Sequence, residues 1–260
     1  DADSRVDFSP APPKSCSVVR VQLHGGFAVV VDGRSITADL PGRRGRMLVA
    51  YLAAHPRGAD RSRLIDLLWH PAEPGPSAPA GFAALLSKAR AALAPIEIRG
   101  RQNLQLVLAP DAVVDTAVAA AALHEADAAA ARRDWRRAWT QALSTLFVLQ
   151  REFLADLDHP WIDERRRELA HDHDRALACY AEACLHLGPT ELASAERSAR
   201  RLIASQPLAE TGYCLLMRAL AARGDRAAAL GVYAELQAVL RAELGTAPGP
   251  VAAAVHADLL

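Results

Sequence analysis

The hydrophobic pattern of this chain changes period once and for all at Asp115. Up to that point, short runs that alternate apolar and polar residues flank three helical stretches; from Asp115 to Leu260 every segment has a helical period and no strand signal remains. Such a break predicts two unlike parts, a small mixed α/β unit and then an all-α array. The 260 residues are enough for two ordinary domains, and a 51% apolar content can furnish a packed core for each.

The first sixteen residues carry Pro10, Pro12 and Pro13 among small polar residues and read as a flexible lead-in. The stretch "VVRVQLHGGFAVVVDGRSI" reads as an opening β-meander with turns at Gly25-Gly26 and Asp32-Gly33. In "PGRRGRMLVAYLAAHP", Met47, Leu48, Tyr51 and Leu52 share a helical stripe that Pro56 stops, and Arg43, Arg44 and Arg46 stand ahead of it. A second helix follows in "ADRSRLIDLLWH", with Asp60 as its expected N-cap and Leu64, Ile65, Leu67, Leu68 and Trp69 as its buried side. The third, "AGFAALLSKARAAL", has Ser77 as its expected N-cap and Pro79 in its first turn. Finally "IEIRGRQNLQLVL" makes a hairpin around Gly100 to Asn103. Strands, three helices and a hairpin within residues 17–110 predict a winged helix-turn-helix preceded by an N-terminal sheet. In that fold the third helix enters the DNA major groove and the hairpin grips the neighbouring backbone.

Residues 111–260 read as a helical repeat domain. Asp115 and Asp134 are expected to cap their helices, and a long helix spans about Pro160 to Leu187, ended by Gly188-Pro189. Two helix pairs then follow the same plan. Gly188 and Gly224 lie 36 residues apart and Tyr180 and Tyr213 lie 33 apart, close to the roughly 34-residue tetratricopeptide period. Stacked pairs of this kind leave a concave face for a partner. The expected fold class is therefore mainly α with a small β component.

Charge divides along the same line. Residues 17–110 hold twelve cations against six anions, a surplus of six, while the whole chain is neutral, so the remainder carries the opposite excess. A basic segment joined to an acidic one suits a polyanion-binding domain beside a protein-binding one. No run of eighteen apolar residues exists, so a membrane span is not expected, and no charged and then apolar leader opens the chain. Cys16, Cys179, Cys184 and Cys214 have no C-x-x-C spacing, which fits a reducing cytoplasm. Catalytic signatures are absent: "GRRGRM" lacks the lysine and hydroxyl of a phosphate-binding loop, and there is no G-x-S-x-G elbow. In "HDHD" the i, i+2 spacing of His171 and His173 points the imidazoles to different helix faces, unlike a zinc pair. No catalytic residue, metal or cofactor is expected.

On the third helix Phe82, Leu85, Leu86, Ala89 and Leu93 form the core stripe. Ser77, Gly81, Ala84, Lys88 and Ala91 fall on the opposite side, with Ser87 and Arg90 on the flanks. No Arg, Asn or Gln near its N-terminus can make the bidentate base contacts that discriminate strongly, so phosphate contact is expected to dominate. The candidate DNA-contacting residues are Ser77, Ala84, Ser87, Lys88 and Arg90 on the helix, Arg99 and Arg101 on the hairpin, and Arg43 and Arg44 before the first helix.

Taken together, "RSRLIDLLW", "LLSKARAAL", the hairpin, Asp115 opening a helical domain, and the closing "LRAELGTAPGPVAAAVHADLL" resemble the SARP family of bacterial transcriptional activators, including their bacterial transcriptional activator domain. The resemblance implies an OmpR-type winged helix that binds direct repeats near promoters in double-stranded DNA, as side-by-side protomers, and a partner in RNA polymerase. The alternative from the residues themselves is an interaction module, part of a longer multidomain protein, whose winged helix no longer binds DNA.

Overall fold

The computed structural model describes residues 18–71, 73 and 75–260; the expected lead-in lies outside them. The chain opens with β1 (Val19–Gln22), β2 (Ala28–Val31) and β3 (Arg34–Ser35), as the alternation predicts. Strands β1 and β2 pair antiparallel with Val19 opposite Val31 and Val21 opposite Val29, so the buried valines of both strands share one face. The second neighbour of β1 is the two-residue strand β7 (Val113–Val114), which runs parallel to it and which the sequence reading did not foresee. The sheet order is β3-β2-β1-β7.

Between β3 and β7 lies the winged helix: α1 (Gly42–Ala54), β4 (Ala59–Asp60), α2 (Arg61–Trp69), α3 (Ala78–Leu93), β5 (Glu97–Arg99) and β6 (Asn103–Val107). Strand β4, also unforeseen, joins the hairpin to make a three-stranded wing in the order β4-β6-β5. Asp60 and Ser77 do stand at N-cap positions, but neither side chain bonds to the helix that follows. Gly100 turns the hairpin at φ +99°, and a Cβ there would lie 1.9 Å from the Asn103 carbonyl oxygen, so no other residue fits the turn.

Seven α-helices follow among the described residues: α4 (Asp115–Ala131), α5 (Trp135–Leu149), α6 (Pro160–Leu187), α7 (Leu192–Ser205), α8 (Glu210–Ala222), α9 (Arg226–Leu244) and α10 (Pro250–Ala257). From α4 to α9, each packs mainly on its neighbours in sequence, as in a repeat array. The repeated turn, however, joins α4–α5 to α8–α9. Arg133 at φ 59° and Gly224 at φ 86° occupy the same place, each followed by an aspartate whose backbone N–H reaches back to Ala129 O (2.9 Å) or Leu220 O (3.0 Å). Those aspartates, Asp134 and Asp225, then cap the next helix by accepting from Arg137 N and Ala228 N. Gly188, at φ 112° and ψ −173°, makes a different turn. In "HDHD", Asp174 accepts from Ser205 Oγ and Gln206 Nε2 and so ties α6 to the end of α7.

The described residues up to Pro110 do not close their own core. Phe153, Leu154, Leu157, Ile162 and Leu169, from the segment between α5 and α6 and from α6 itself, belong to the same buried cluster as Tyr51, Leu52 and Phe82. Trp161 meets Tyr51 and Phe153 edge-on at ring distances of 5.0 and 5.8 Å. Along the β1–β2 turn, Leu154 N donates to Leu23 O and Gly25 N to Glu152 O, both at 2.7 Å. Asp115 is the first residue of α4 rather than its cap, and its carboxylate accepts from Leu23 N, His24 N and Thr116 N.

Candidate nucleic-acid interface

Helix α3 buries the side its sequence predicts. Phe82, Leu86, Ala89 and Leu93 are in the core, Leu85 is half-buried, and Ala80, Ala84, Ser87 and Ala91 form an exposed strip on the other side. Ser77, also exposed, stands at the head of this strip. At about 100° of turn per residue, Lys88 lies on one border and Arg90 on the other.

The two borders do different work. Arg90 donates from Nε to Ile98 O (2.9 Å) and from Nη2 to Gly100 O (2.8 Å), so its planar fork fixes the wing turn against α3. Lys88 is exposed and, like Arg101 at the wing tip, has no hydrogen-bond or ion-pair partner among the described residues. Arg99, on β5, pairs with Glu97 at 3.2 Å, with both side chains mostly in solvent. Exposed pairs of this kind contribute about 0–1 kcal/mol, so Arg99 is easily released to another anion.

Arg43 and Arg44 lie elsewhere. They are inside the first turn of α1, not ahead of it, and their side chains are occupied within the protein. Arg43 donates to Asp158 O (3.1 Å) and Arg44 to Leu68 O (3.0 Å), while the Arg44 guanidinium sits 4.5 Å over the Trp69 ring. Arg46 reaches Asp156 at 3.4 Å. These three cations at the start of a helix, unfavourable for the helix dipole, hold α1 to the C-terminal end of α2 and to the α5–α6 connection. Trp69 is half-buried and packs against the core, with Arg44 over its ring and Gly81 of α3 beside its edge.

One cation escaped the sequence reading. Arg61, the first residue of α2, donates its backbone N–H to Gln102 O in the wing turn, and its guanidinium lies 4.7 Å over Phe82 with a 3.5 Å contact to Pro79 O. It therefore joins α2, the start of α3 and the wing. Its only sequence signal was its place directly after the predicted cap Asp60.

These elements define a winged helix-turn-helix carried on an α-helical repeat array, the plan of a bacterial transcription regulator. A profile described as the bacterial transcriptional activator domain matches residues 114–260, and the chain belongs to this family, within the SARP group of regulators. Among relatives, regulatory protein AfsR of Streptomyces griseus is 27% identical over 262 residues, covering 97% of this chain and 26% of its own length. Regulatory protein AfsR of Streptomyces coelicolor is 29% identical over 252 residues, covering 93% of this chain and 24% of its own. The chain thus spans about a quarter of the length of these curated relatives. Of solved structures, Mycobacterium tuberculosis EmbR in complex with a low affinity phosphopeptide superimposes with a TM-score of 0.82 at 21% identity, over 94% of this chain and 65% of the other. That likeness gives the fold.

Proposed function

We propose that the chain is a DNA-binding transcription regulator of the cytoplasm, an activator that binds direct repeats near promoters as paired protomers and contacts RNA polymerase. On this reading residues 17–110 bind DNA and residues 111–260 meet the protein partner. One observation carries it: among the described residues the strip of α3 from Ala80 to Ala91 is exposed, bordered by Lys88, which has no partner among them, and braced through Arg90 to a wing tip bearing Arg101. Ser77, Ala84 and Ser87 then approach the major groove, Lys88, Arg99 and Arg101 take phosphates, and Arg90 and Arg61 position the wing. Arg43 and Arg44, already engaged with backbone carbonyls, are left out of the contact set.

The strip also favours a second reading. With only Ala, Ser and Gly at its centre it offers no bidentate donor to a base edge, as in an interaction module that has lost DNA binding. Selection of bound duplexes from a random pool, followed by footprinting, separates the two. A regulator yields a repeated motif protected on one face; an interaction module yields no enrichment at all.

A further inference from the structure

We propose that the cleft between the wing and α4 is a binding site for a small apolar molecule carrying one carboxylate. The cleft has a volume of about 520 Å³ and opens where the C-terminal end of α1, strand β6 and the first turns of α4 face one another. That size falls within the roughly 300–1,000 Å³ of small-molecule sites. It stays open for a simple reason: α4 presents Ala117 and Ala120 to it, one turn apart and both exposed, with nothing beyond Cβ to fill the gap.

The walls fix the chemistry of the occupant. Leu52, Pro56, Leu106 and Leu108 face the two alanines, which suits an apolar body. Of the polar residues there, Gln105 is engaged, its Nε2 donating to Pro56 O at 2.7 Å. The charges are Arg99 from β5 and Arg165 from α6, and among the described residues no aspartate or glutamate lines the cleft. Each arginine holds one carboxylate through a single nitrogen, Arg99 to Glu97 and Arg165 to Glu168, so further guanidinium donors remain for a carboxylate head group. An occupant would touch the wing strand and α4 together, coupling the wing to the repeat array. The site shares Arg99 with the proposed phosphate contacts, and Arg165, outside that set, distinguishes the two.

The test is calorimetric titration of the full chain with decanoate and, separately, with decan-1-ol, which shares the body but lacks the charge. The site predicts one saturable decanoate per chain. Ala117→Trp and Ala120→Leu, two independent ways to fill the cleft, each weaken both probes at least about tenfold, and thermal unfolding identifies any variant that fails to fold. Arg165→Gln weakens decanoate about tenfold, as loss of a charge-assisted contact should, and leaves decan-1-ol unchanged. Absence of saturable binding, binding indifferent to both filling variants, or equal loss of both probes in Arg165→Gln would overturn the proposal.

Discussion

The carboxylate of Asp115 accepts the backbone N–H of His24 at 2.8 Å across 91 residues of sequence, and with it those of Leu23 and Thr116. The first turn of the repeat array is thereby bonded to the residues that follow β1. Asp115→Ala leaves the Leu23 and His24 donors unpaired in a partly buried setting, and a loss of about 3 kcal/mol is expected from urea unfolding midpoints. Asp115→Asn, which keeps one acceptor oxygen, should lose less. Equal, negligible losses in both would show that the joint is held by apolar packing alone.

Histidines at this joint make its stability depend on pH. Burial holds His24, His55 and His159 below the ordinary imidazole value of 6.5, outweighing the backbone carbonyls of Arg151, Tyr51 and Leu67 that pull the other way. Because the unfolded chain takes up protons on these rings first, their contribution is fully present above about pH 6.5. It is lost as pH falls below that value towards their folded-state pKa. Urea midpoints measured from pH 8 to pH 5.5 should decline over the lower part of the range, and His24→Gln should flatten the decline. A midpoint that rises on acidification contradicts the assignment.

Arg90 braces the wing turn through two backbone carbonyls. Arg90→Ala removes two bonds to the hairpin backbone, Ile98 O and Gly100 O, at an expected cost of about 1–2 kcal/mol. Amide hydrogen exchange across residues 99–103 should accelerate more than that of α3. Arg90→Lys should not restore protection, because an ammonium cannot reproduce the fork. Unchanged exchange in the wing would show that β4 alone holds it.

The turn between α4 and α5 carries avoidable strain. Arg133 sits at φ 59° where the equivalent turn has Gly224 at φ 86°, and an L residue in that region loses roughly 1 kcal/mol. Arg133→Gly is therefore expected to raise stability by up to about 1 kcal/mol in thermal or urea unfolding. A clear loss instead would mean that the Arg133 side chain contributes more than its backbone costs.

What could be read from the sequence was what neighbouring residues decide. The buried stripe of α3, the long helix Pro160–Leu187, the Gly100 turn and the Asp134 cap all follow from local spacing and turn chemistry, and each is found. Strands β4 and β7 were invisible because two residues carry no period, and each forms only against a distant partner. Asp115 looked like a cap because the aspartate sits where a cap belongs, yet its oxygens are mainly turned to the end of β1, more than ninety residues earlier. Arg43 and Arg44 show the same limit. Their charge suggests phosphate, and only the tertiary fold, which brings the carbonyls of Asp158 and Leu68 within reach, shows what they hold inside the protein.

In the proposed function α3 and the wing tip present a single surface to duplex DNA. Its most direct test is the salt dependence of DNA affinity, by fluorescence anisotropy, for the parent chain and for Lys88→Ala/Arg101→Ala. Log affinity is expected to fall linearly with log salt, and the double variant's slope to be shallower by about two, one for each lost phosphate contact. No binding even at low salt, or an unchanged slope in the double variant, would contradict it.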